Sequence, residues 1–355
     1  MEIKHISHLK SDSLIKLFGL TPDGQNVDSC ELTNKKGTKA QIITYGATLT
    51  SLKLLLPKGI FVDVVLGFDN LESYINSFEL DGAPYFGSTV GRYAGRIKDS
   101  KFVLNGKKYQ LNTNNFSHSL HGGIQNFSRK IWIIKEVTTG DNPSVTLNCN
   151  SKSGEENYPG NLDVQLTYTL TEEDELVLEY KATTSEDTVI NLTHHSYFNL
   201  DGHKGTVVNQ QLQIPSNKTV EITNEGVPTG ELVAVTNTEF DYTKTKDCPA
   251  SIDNSFVIDN NTEVAATLIS AKNNLKMEVI TDQPSVHIYV GGKTADALTN
   301  KEGIEYHAQS GICFETQNYP DAPNHAHFPN SVLKTEEIYH QKTTYKFSKA
   351  MILWD

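Results

Sequence analysis

One glutamate lies in an otherwise apolar run near the C-terminal end of the chain. In the run that begins at Gly311, the alternation of a strand places Ile312 and Phe314 on one face and Cys313 and Glu315 on the other. A carboxylate in such surroundings costs stability unless it is paired or functional. A structural carboxylate is the alternative, but Glu315 is the first candidate for a general base.

Three histidines suit proton transfer, because a free histidine, with a pKa of about 6.5, titrates closest to neutrality. His194 and His195 are adjacent, in a run rich in Asn, Thr, Ser and Tyr. Adjacent residues of a strand face opposite sides, so only one of them can point into a given cleft, and a shared metal ion is disfavoured. His121 precedes Gly122 and Gly123, a tight and permissive backbone. A structural or surface histidine is the alternative in each case.

Two arginines and one aspartate could bind hydroxyl groups. Arg92 and Arg96 are four residues apart and separated by small residues, which would let the backbone and a guanidinium group approach a ligand closely. Asp253 lies beside turn residues. Taken alone, the arginines are equally well explained as solvated surface residues, and Asp253 as a loop aspartate.

The elements that must position these residues are strands. Short runs with period-two alternation, separated by Gly, Asn, Asp and Pro, dominate the chain, and only residues 69–78 suggest a turn or two of helix. Asn105-Gly106 between two such runs is a strong hairpin signal. The pattern predicts an all-β protein, a large antiparallel β-sandwich, formed by residues 1–355 as a single domain; a boundary within residues 185–210 is the alternative. The predicted strands are 41–45, 50–54, 101–104, 108–111, 131–137, 145–150, 163–170, 176–182, 189–193, 275–281, 286–290, 311–316 and 344–352.

Composition restricts the class of partner. A formal net charge of −12 over 355 residues disfavours nucleic acids and acidic membranes, whose phosphates need clustered Lys and Arg, and favours a neutral small molecule. The four cysteines form no CxxC pair, and residues 1–20 contain no uninterrupted apolar segment. These features predict reduced thiols and a cytoplasmic protein without a signal peptide or membrane span.

In their order along the chain, these patterns resemble the aldose 1-epimerase (galactose mutarotase) family. The similarity covers residues 20–350 or so, and its five motifs are far more specific together than any one alone. They are Gly-Arg-Tyr-Ala-Gly-Arg-Ile at 91–97, Ser-Leu-His-Gly-Gly at 119–123, Thr-His-His-Ser-Tyr-Phe-Asn-Leu at 193–200, Phe-Glu-Thr-Gln-Asn-Tyr-Pro-Asp-Ala at 314–322 with its continuation to Pro329, and Tyr-Gly-Ala at 45–47 with Val-Leu-Gly-Phe at 65–68.

The resemblance implies a galactose mutarotase-like supersandwich and assigns roles to six residues. Glu315 takes the position of the base, His195 that of the acid, and His121 that of a second site histidine. The sugar-binding positions fall on Arg96, Asp253 and His287. Three positions depart from the family's usual residues: Gly95 and His194 each replace an asparagine, and His287 replaces a glutamine, which bears on substrate preference.

The chemistry implied is α/β interconversion of a free aldohexose such as galactose or glucose, without metal or cofactor. One base and one acid open the ring through proton transfer, each step worth roughly 10²–10⁴-fold in rate. Since the active form needs an ionised Glu315 and a protonated His195, a bell-shaped pH profile is expected. The alternatives are a hexose-6-phosphate 1-epimerase, a non-catalytic sugar-binding sandwich, and a metal enzyme using His325 and His327. The sequence does not determine the preferred sugar or whether a calcium ion binds. The expected oligomeric state is a monomer or a homodimer.

Overall fold

The computed structural model describes residues 14–259, 261–291 and 301–350. Within these ranges the chain forms 28 strands, one short α-helix and several 3₁₀ turns. The helix, α1 (Leu71–Ser77), begins at Asn70, whose side chain accepts a hydrogen bond from the Ser73 N–H at 2.8 Å. Among the described residues, no helix is both long and apolar enough to cross a lipid bilayer.

The strands are, in chain order, β1 (Ile15–Leu20), β2 (Asn26–Thr33), β3 (Lys39–Ile43), β4 (Thr48–Leu55), β5 (Phe61–Asp63), β6 (Thr89–Val90), β7 (Arg96–Ile97), β8 (Lys101–Leu104), β9 (Lys107–Gln110), β10 (Ser119–Leu120), β11 (Ile133–Thr138), β12 (Ser144–Ser151), β13 (Leu162–Leu170), β14 (Glu175–Thr184), β15 (Thr188–Val189), β16 (Thr193–His194), β17 (Tyr197–Phe198), β18 (Gln211–Gln213), β19 (Lys218–Ile222), β20 (Pro228–Ala234), β21 (Lys246–Asp247), β22 (Ile252–Val257), β23 (Ala266–Ser270), β24 (Leu275–Thr281), β25 (Ser285–Val290), β26 (Ile312–Gln317), β27 (Val332–Leu333) and β28 (Tyr339–Lys349). The 3₁₀ turns are Pro57–Gly59, Lys98–Ser100, Phe127–Arg129, Glu155–Asn157, Val207–Asn209, Lys301–Gly303 and Ala322–Asn324.

Three antiparallel sheets account for most of these strands. A five-stranded sheet has the order β1-β2-β3-β4-β5, and a nine-stranded sheet the order β11-β12-β13-β14-β28-β24-β23-β18-β21. A six-stranded sheet has the order β17-β26-β25-β22-β19-β20. The remaining strands pair two by two in the connecting segments. The prediction of an all-β, antiparallel sandwich is confirmed.

The main core lies between the nine-stranded sheet and the other two. Alternate residues of β13 are buried, as a strand with one covered face requires. Tyr345 of the nine-stranded sheet donates its hydroxyl to the Phe314 carbonyl at 3.1 Å, and its ring lies 4.8 Å from that of Phe198. Tyr168 donates its hydroxyl to the Ala47 carbonyl at 2.6 Å, beside the five-stranded sheet. One face of the six-stranded sheet is thus used for packing, which leaves the other for a site.

The predicted hairpin is present and the predicted strand at 189–193 is not. In the hairpin, Leu104 pairs with Lys107, and Asn105 and Gly106 take the positive φ values of 51° and 77° that the turn requires. Residues 189–193 were expected to form one strand, but β15 and β16 pair with different partners, β27 and β6. The predicted helix is confirmed in α1. Residues 351–352 of the last predicted strand lie outside the described residues, and the single-domain assignment stays a prediction.

A buried ion pair ties the segment that begins at Lys301 to the five-stranded sheet. The Lys301 ammonium donates to Asp63 Oδ2 at 2.9 Å, to the Val65 carbonyl at 2.8 Å and to the Thr50 carbonyl. The Asp63 carboxylate also accepts from the Leu52 N–H at 3.0 Å. Only 6% of Lys301 and 9% of Asp63 is exposed. Both charges are therefore fully hydrogen-bonded within the fold, the condition under which a buried pair is tolerated.

Candidate active site

Alternate residues of β26 face the main core and the opposite side of the sheet, as the alternation predicts. Ile312 and Phe314 belong to the main core, whereas Glu315 faces the opposite side. On the partner strand β25, His287 lies directly opposite Glu315. On β17, Tyr197 pairs with Cys313, and continuing that register two residues back along the chain sets His195 opposite Glu315. Antiparallel pairing thus brings an acid and two imidazoles into one row from segments far apart in sequence.

This row forms the floor of a cavity of about 440 Å³ on the outward face of the six-stranded sheet. The connecting segments before β7 and after β10 cover it. All six residues expected at a site line the cavity: Arg96, His121, His195, Asp253, His287 and Glu315. Its volume is within the range of small-molecule sites, roughly 300–1,000 Å³.

Glu315 and His195 form the most deeply buried acid–base pair of the cavity. Oε1 of Glu315 lies 3.5 Å from Nε2 of His195. Only 2% of Glu315 and 5% of His195 is exposed, so both groups act in a nearly water-free environment. Nδ1 of His195 faces the opposite way, 3.6 Å from Sγ of Cys313.

His121 is held in one tautomer by the backbone. It takes a positive φ of 54°, and Gly122 and Gly123 continue the left-handed path, as expected of this permissive segment. Nδ1 of His121 accepts a hydrogen bond from the Gly95 N–H at 3.2 Å. Burial first, and the neighbouring His195 and Arg96 charges second, lower the pKa of His121 well below its usual value. His121 is therefore neutral with its proton on Nε2, and it acts as a hydrogen-bond donor.

Gly95 is one of the three positions that differ from the family's usual residues. Its backbone has a conformation that an asparagine could also adopt. Its φ is +75°, a conformation favoured by glycine and tolerated best by asparagine among other residues. A Cβ atom there would lie 2.8 Å from Cβ of Pro320, so glycine also relieves a close contact. The backbone N–H that orients His121 is retained, whereas the side-chain amide of the family's asparagine is missing.

His287 and Asp253 form an ion pair at the side of the cavity. Nε2 of His287 donates to Oδ1 of Asp253 at 2.9 Å, and Nδ1 lies 2.9 Å from Oγ of Ser255. Burial alone would lower the pKa of His287, but the hydrogen bond and charge of Asp253 raise it. Burial would raise the pKa of Asp253, yet His287 brings it down to about 2. Asp253, which is half exposed, is ionised at neutral pH with Oδ2 open to a ligand.

Arg96 is oriented by a residue that the sequence did not single out. Its Nε donates to Oδ1 of Asn115 at 2.9 Å, and its guanidinium group packs on the backbone of Gly226. Arg92, by contrast, is not in the cavity. Its guanidinium group is buried against Ser151 and donates to the Pro159 carbonyl at 2.7 Å, a structural role.

His194 and His195 point in opposite directions, as predicted from their adjacency. Nε2 of His194 lies 2.8 Å from the Tyr168 hydroxyl, and Nδ1 lies 3.1 Å from Oγ of Ser196. Both histidines are buried, so neither is a surface histidine. Burial, and next the charge of His195, lower the pKa of His194 to about 3.

We expect acid to destabilise the protein partly through His194. An unfolded His194 binds a proton below pH 6.5 or so, whereas the folded one stays neutral down to about pH 3. Between these values the unfolded state holds more protons, so the free energy of unfolding falls as the pH falls, by up to about 1.4 kcal/mol per pH unit. Urea unfolding of His194→Gln should show a decline between pH 6 and pH 4 smaller by about 2 kcal/mol. The exposed His340→Gln is the control; an unchanged slope in His194→Gln would contradict the assignment.

Several further residues line the cavity that the sequence did not single out, among them Tyr85, Asn115, Ser255 and Gln317. Gln317 could have been predicted from the sequence, because it lies two residues after Glu315 on β26 and therefore on the same face of the sheet. For the same reason, Ser255 shares the face of Asp253 on β22. Tyr85, whose ring centre lies 4.9 Å from that of His121, and Asn115 lie in connecting segments where no periodicity applies.

Among the described residues, the one group of three His, Cys, Asp or Glu side chains close enough to share a metal ion is His121, His195 and Glu315, with ligand atoms within 4.8 Å of one another. The Gly95 N–H on Nδ1 of His121 opposes this use, since it keeps the proton on Nε2, the nitrogen that faces the cavity. His325 and His327 lie elsewhere: the former is 3.2 Å from Asp321, and the latter 2.7 Å from the Gly230 carbonyl.

Comparison with known proteins gives a consistent result. The sequence profile described as aldose 1-epimerase matches residues 28–346. The chain is 37% identical to a galactose mutarotase of Bos taurus, over 94% of this chain and 98% of the relative, and 33% identical to an aldose 1-epimerase of Haemophilus influenzae, over 92% and 97%.

Solved structures agree in fold. The GalM/aldose epimerase homologue from C. elegans superposes with a TM-score of 0.81 at 31% identity, covering 90% of this chain and 98% of that one. A galactose 1-epimerase from Lactobacillus acidophilus gives a TM-score of 0.81 over 95% and 98%, and at 24% identity it speaks for the fold alone. With a profile matching most of its length and relatives above 30% identity, the chain belongs to the aldose 1-epimerase family.

Proposed function

We propose that this chain interconverts the α and β anomers of a free aldohexose, such as galactose or glucose. One observation carries the proposal: a buried carboxylate and a buried imidazole, Glu315 and His195, lie 3.5 Å apart at the floor of one cavity. O1 and O5 of a pyranose are bonded to the same carbon atom. A base for the first and an acid for the second must therefore lie close together, as these two side chains do.

The reaction needs two proton transfers in each direction. Glu315 removes the proton of the O1 hydroxyl; the C1–O1 bond becomes a carbonyl as the C1–O5 bond breaks, and His195 gives its proton to O5. After rotation about the C1–C2 bond, O5 attacks the other face of the carbonyl and returns its proton to His195, while Glu315 returns its proton to O1. The enzyme ends in its starting state. Each positioned transfer contributes roughly 10²–10⁴-fold in rate.

The remaining side chains orient the sugar. His121, a neutral donor through Nε2, supports an oxygen on which negative charge develops. Arg96 and Asp253 bind hydroxyl groups, and His287 completes that wall of the cavity. A site built to hydrogen-bond hydroxyls rejects analogues that lack one. A protein that only binds a sugar would not need a buried acid–base pair at the floor of its cavity.

A neutral sugar fits the cavity better than a hexose 6-phosphate. Among the described residues that line it, the arginines are Arg96 and Arg129. Arg129 is already engaged, with Nη1 3.1 Å from a carboxylate oxygen of Glu79 and Nη2 donating to the Phe78 carbonyl at 2.8 Å. The lining also contains the carboxylates of Asp81, Asp253 and Glu315. Of these two arginines, Arg96 alone is left for a phosphate dianion, which would also meet these three carboxylates.

The proposal predicts catalysis without a metal or cofactor. Polarimetry on freshly dissolved α-D-galactose, α-D-glucose and a pentose should show faster mutarotation with enzyme than without, and the rate should be unchanged after dialysis against EDTA. The physical reason is that a Glu and a His supply both proton transfers, while the Gly95 N–H opposes metal binding by His121. No acceleration for any of the sugars would refute the proposed activity. A rate lost on chelation and restored by Zn²⁺ or Ca²⁺ would refute the metal-free mechanism.

We also propose a cytoplasmic location and action on small molecules alone, as a monomer or homodimer. All four cysteines are unpaired and buried, which suits a reducing compartment. The net charge of −12 disfavours nucleic acids and acidic membrane surfaces as partners.

A further inference from the structure

Cys313 lies directly behind the imidazole of His195. The strand alternation that turns Glu315 toward the cavity also turns Cys313 to that face, two residues earlier on β26. Its Sγ lies 3.6 Å from Nδ1 of His195, and none of the residue is exposed. Among the described contacts, this thiol is the hydrogen-bonding partner of Nδ1. His195 is thus held between a thiol on one nitrogen and the Glu315 carboxylate on the other.

We propose that Cys313 is a positioning residue for the reaction, one that holds His195 in the tautomer and orientation needed to exchange a proton with the sugar ring oxygen. This inference rests on the proposed mutarotase function. A thiol suits the task because its sulfur can accept a hydrogen bond while the group stays uncharged. After His195 has given its Nε2 proton to O5, the proton that remains is on Nδ1, where the sulfur accepts its hydrogen bond, and Nε2 is free to take a proton back. When His195 is charged, the sulfur accepts from Nδ1–H.

The partner stays neutral through the cycle. Burial first, and then the charge of Glu315, raise the pKa of Cys313 well above its usual value, so that the thiol does not ionise. A carboxylate behind the imidazole would bind the charged form far more strongly than the neutral form. A neutral thiol aligns the ring without that bias, which leaves His195 able both to give its proton and to take it back.

Other titratable and aromatic groups also face His195. The Glu315 carboxylate lies 3.5 Å from its Nε2, the ring centre of His121 lies 5.6 Å from its own, and His194 precedes it in the chain. The aromatic rings around it are Tyr85, Tyr197 and Tyr289. None of these supplies a hydrogen bond to Nδ1 among the described contacts, so the role of Cys313 can be isolated by changing the thiol alone.

The test compares pH–rate profiles of Cys313→Ala and Cys313→Ser with the wild type. The alkaline limb reports loss of the acid, His195 in its charged form. Without an acceptor for Nδ1–H, the charged form is less stable, so in Cys313→Ala we expect the limb to move down by about half a pH unit or more, with kcat at pH 7.5 lower by about tenfold and KM nearly unchanged. Cys313→Ser, which keeps a donor and acceptor, should stay within about threefold of the wild type.

Cys30→Ala is the matched control, since Cys30 is equally buried but lies in the core beside the five-stranded sheet. It should lower stability without moving the limb. A purely structural Cys313 would reduce the active fraction at every pH and leave the limb in place, and that result would overturn the inference. If the wild type does not accelerate mutarotation at all, the proposed function fails first, so the two failures are distinguishable.

Discussion

Replacing Glu315 with glutamine is expected to reduce turnover by roughly 10²–10⁴-fold while sugar binding persists. Glutamine has nearly the same size and can still hydrogen-bond, but its amide cannot accept the O1 proton. Glu315 is buried, with His195 3.5 Å away, and the other lining carboxylates, Asp81 and Asp253, come from other segments of the chain. Polarimetry at saturating galactose measures turnover, and calorimetric titration of the variant with galactose measures binding.

The surface offers a matched control. Glu179 also pairs with a histidine, with Oε1 2.8 Å from Nε2 of His340, but it lies outside the cavity and is partly exposed. Glu179→Gln should leave both turnover and binding unchanged. If Glu315→Gln retains a tenth or more of wild-type turnover, Glu315 is not the base.

The period-two alternation of the sequence predicts those parts of the site that lie on strands. The alternation in β26 separated Glu315 from Phe314 correctly, and the adjacency of two histidines correctly implied that His195 and His194 diverge. The Asn105-Gly106 hairpin was readable for the same reason, because two residues with positive φ leave few alternatives. In each case the signal is local, a property of two to six consecutive residues.

What could not be predicted depends on contacts between distant segments. The pairing of β28 with β14 and β24, at the centre of the nine-stranded sheet, joins parts of the chain more than 60 residues apart. Residues 189–193 have the composition of a strand, but their pairing partner changes from β27 at β15 to β6 at β16. Tertiary pairing thus overrides the local preference. Tyr85 and Asn115 reach the site from loops, where no period indicates which side chains converge.

The largest effect on stability is expected from Lys301, which carries no catalytic role. Lys301→Met should lower the free energy of unfolding by about 3–5 kcal/mol, because it leaves the Asp63 carboxylate buried without its counter-charge. The ammonium also binds the Thr50 and Val65 carbonyls, so its loss leaves backbone acceptors unsatisfied as well. Urea unfolding at pH 7 measures the change. Lys276→Met, which removes a partly exposed ion pair with Glu278, should cost less than about 1 kcal/mol.

A second substitution separates the charge effect from lost packing. Asp63→Asn combined with Lys301→Met removes both charges and keeps an oxygen to accept from the Leu52 N–H. If the unpaired carboxylate is the main cost, the double variant should be more stable than Lys301→Met alone, even though it carries one more mutation, because replacing a whole buried pair costs far less than breaking it. A double variant no more stable than the single one would show that Lys301 acts mainly through its backbone contacts, as the anchor of the segment between Lys301 and β26.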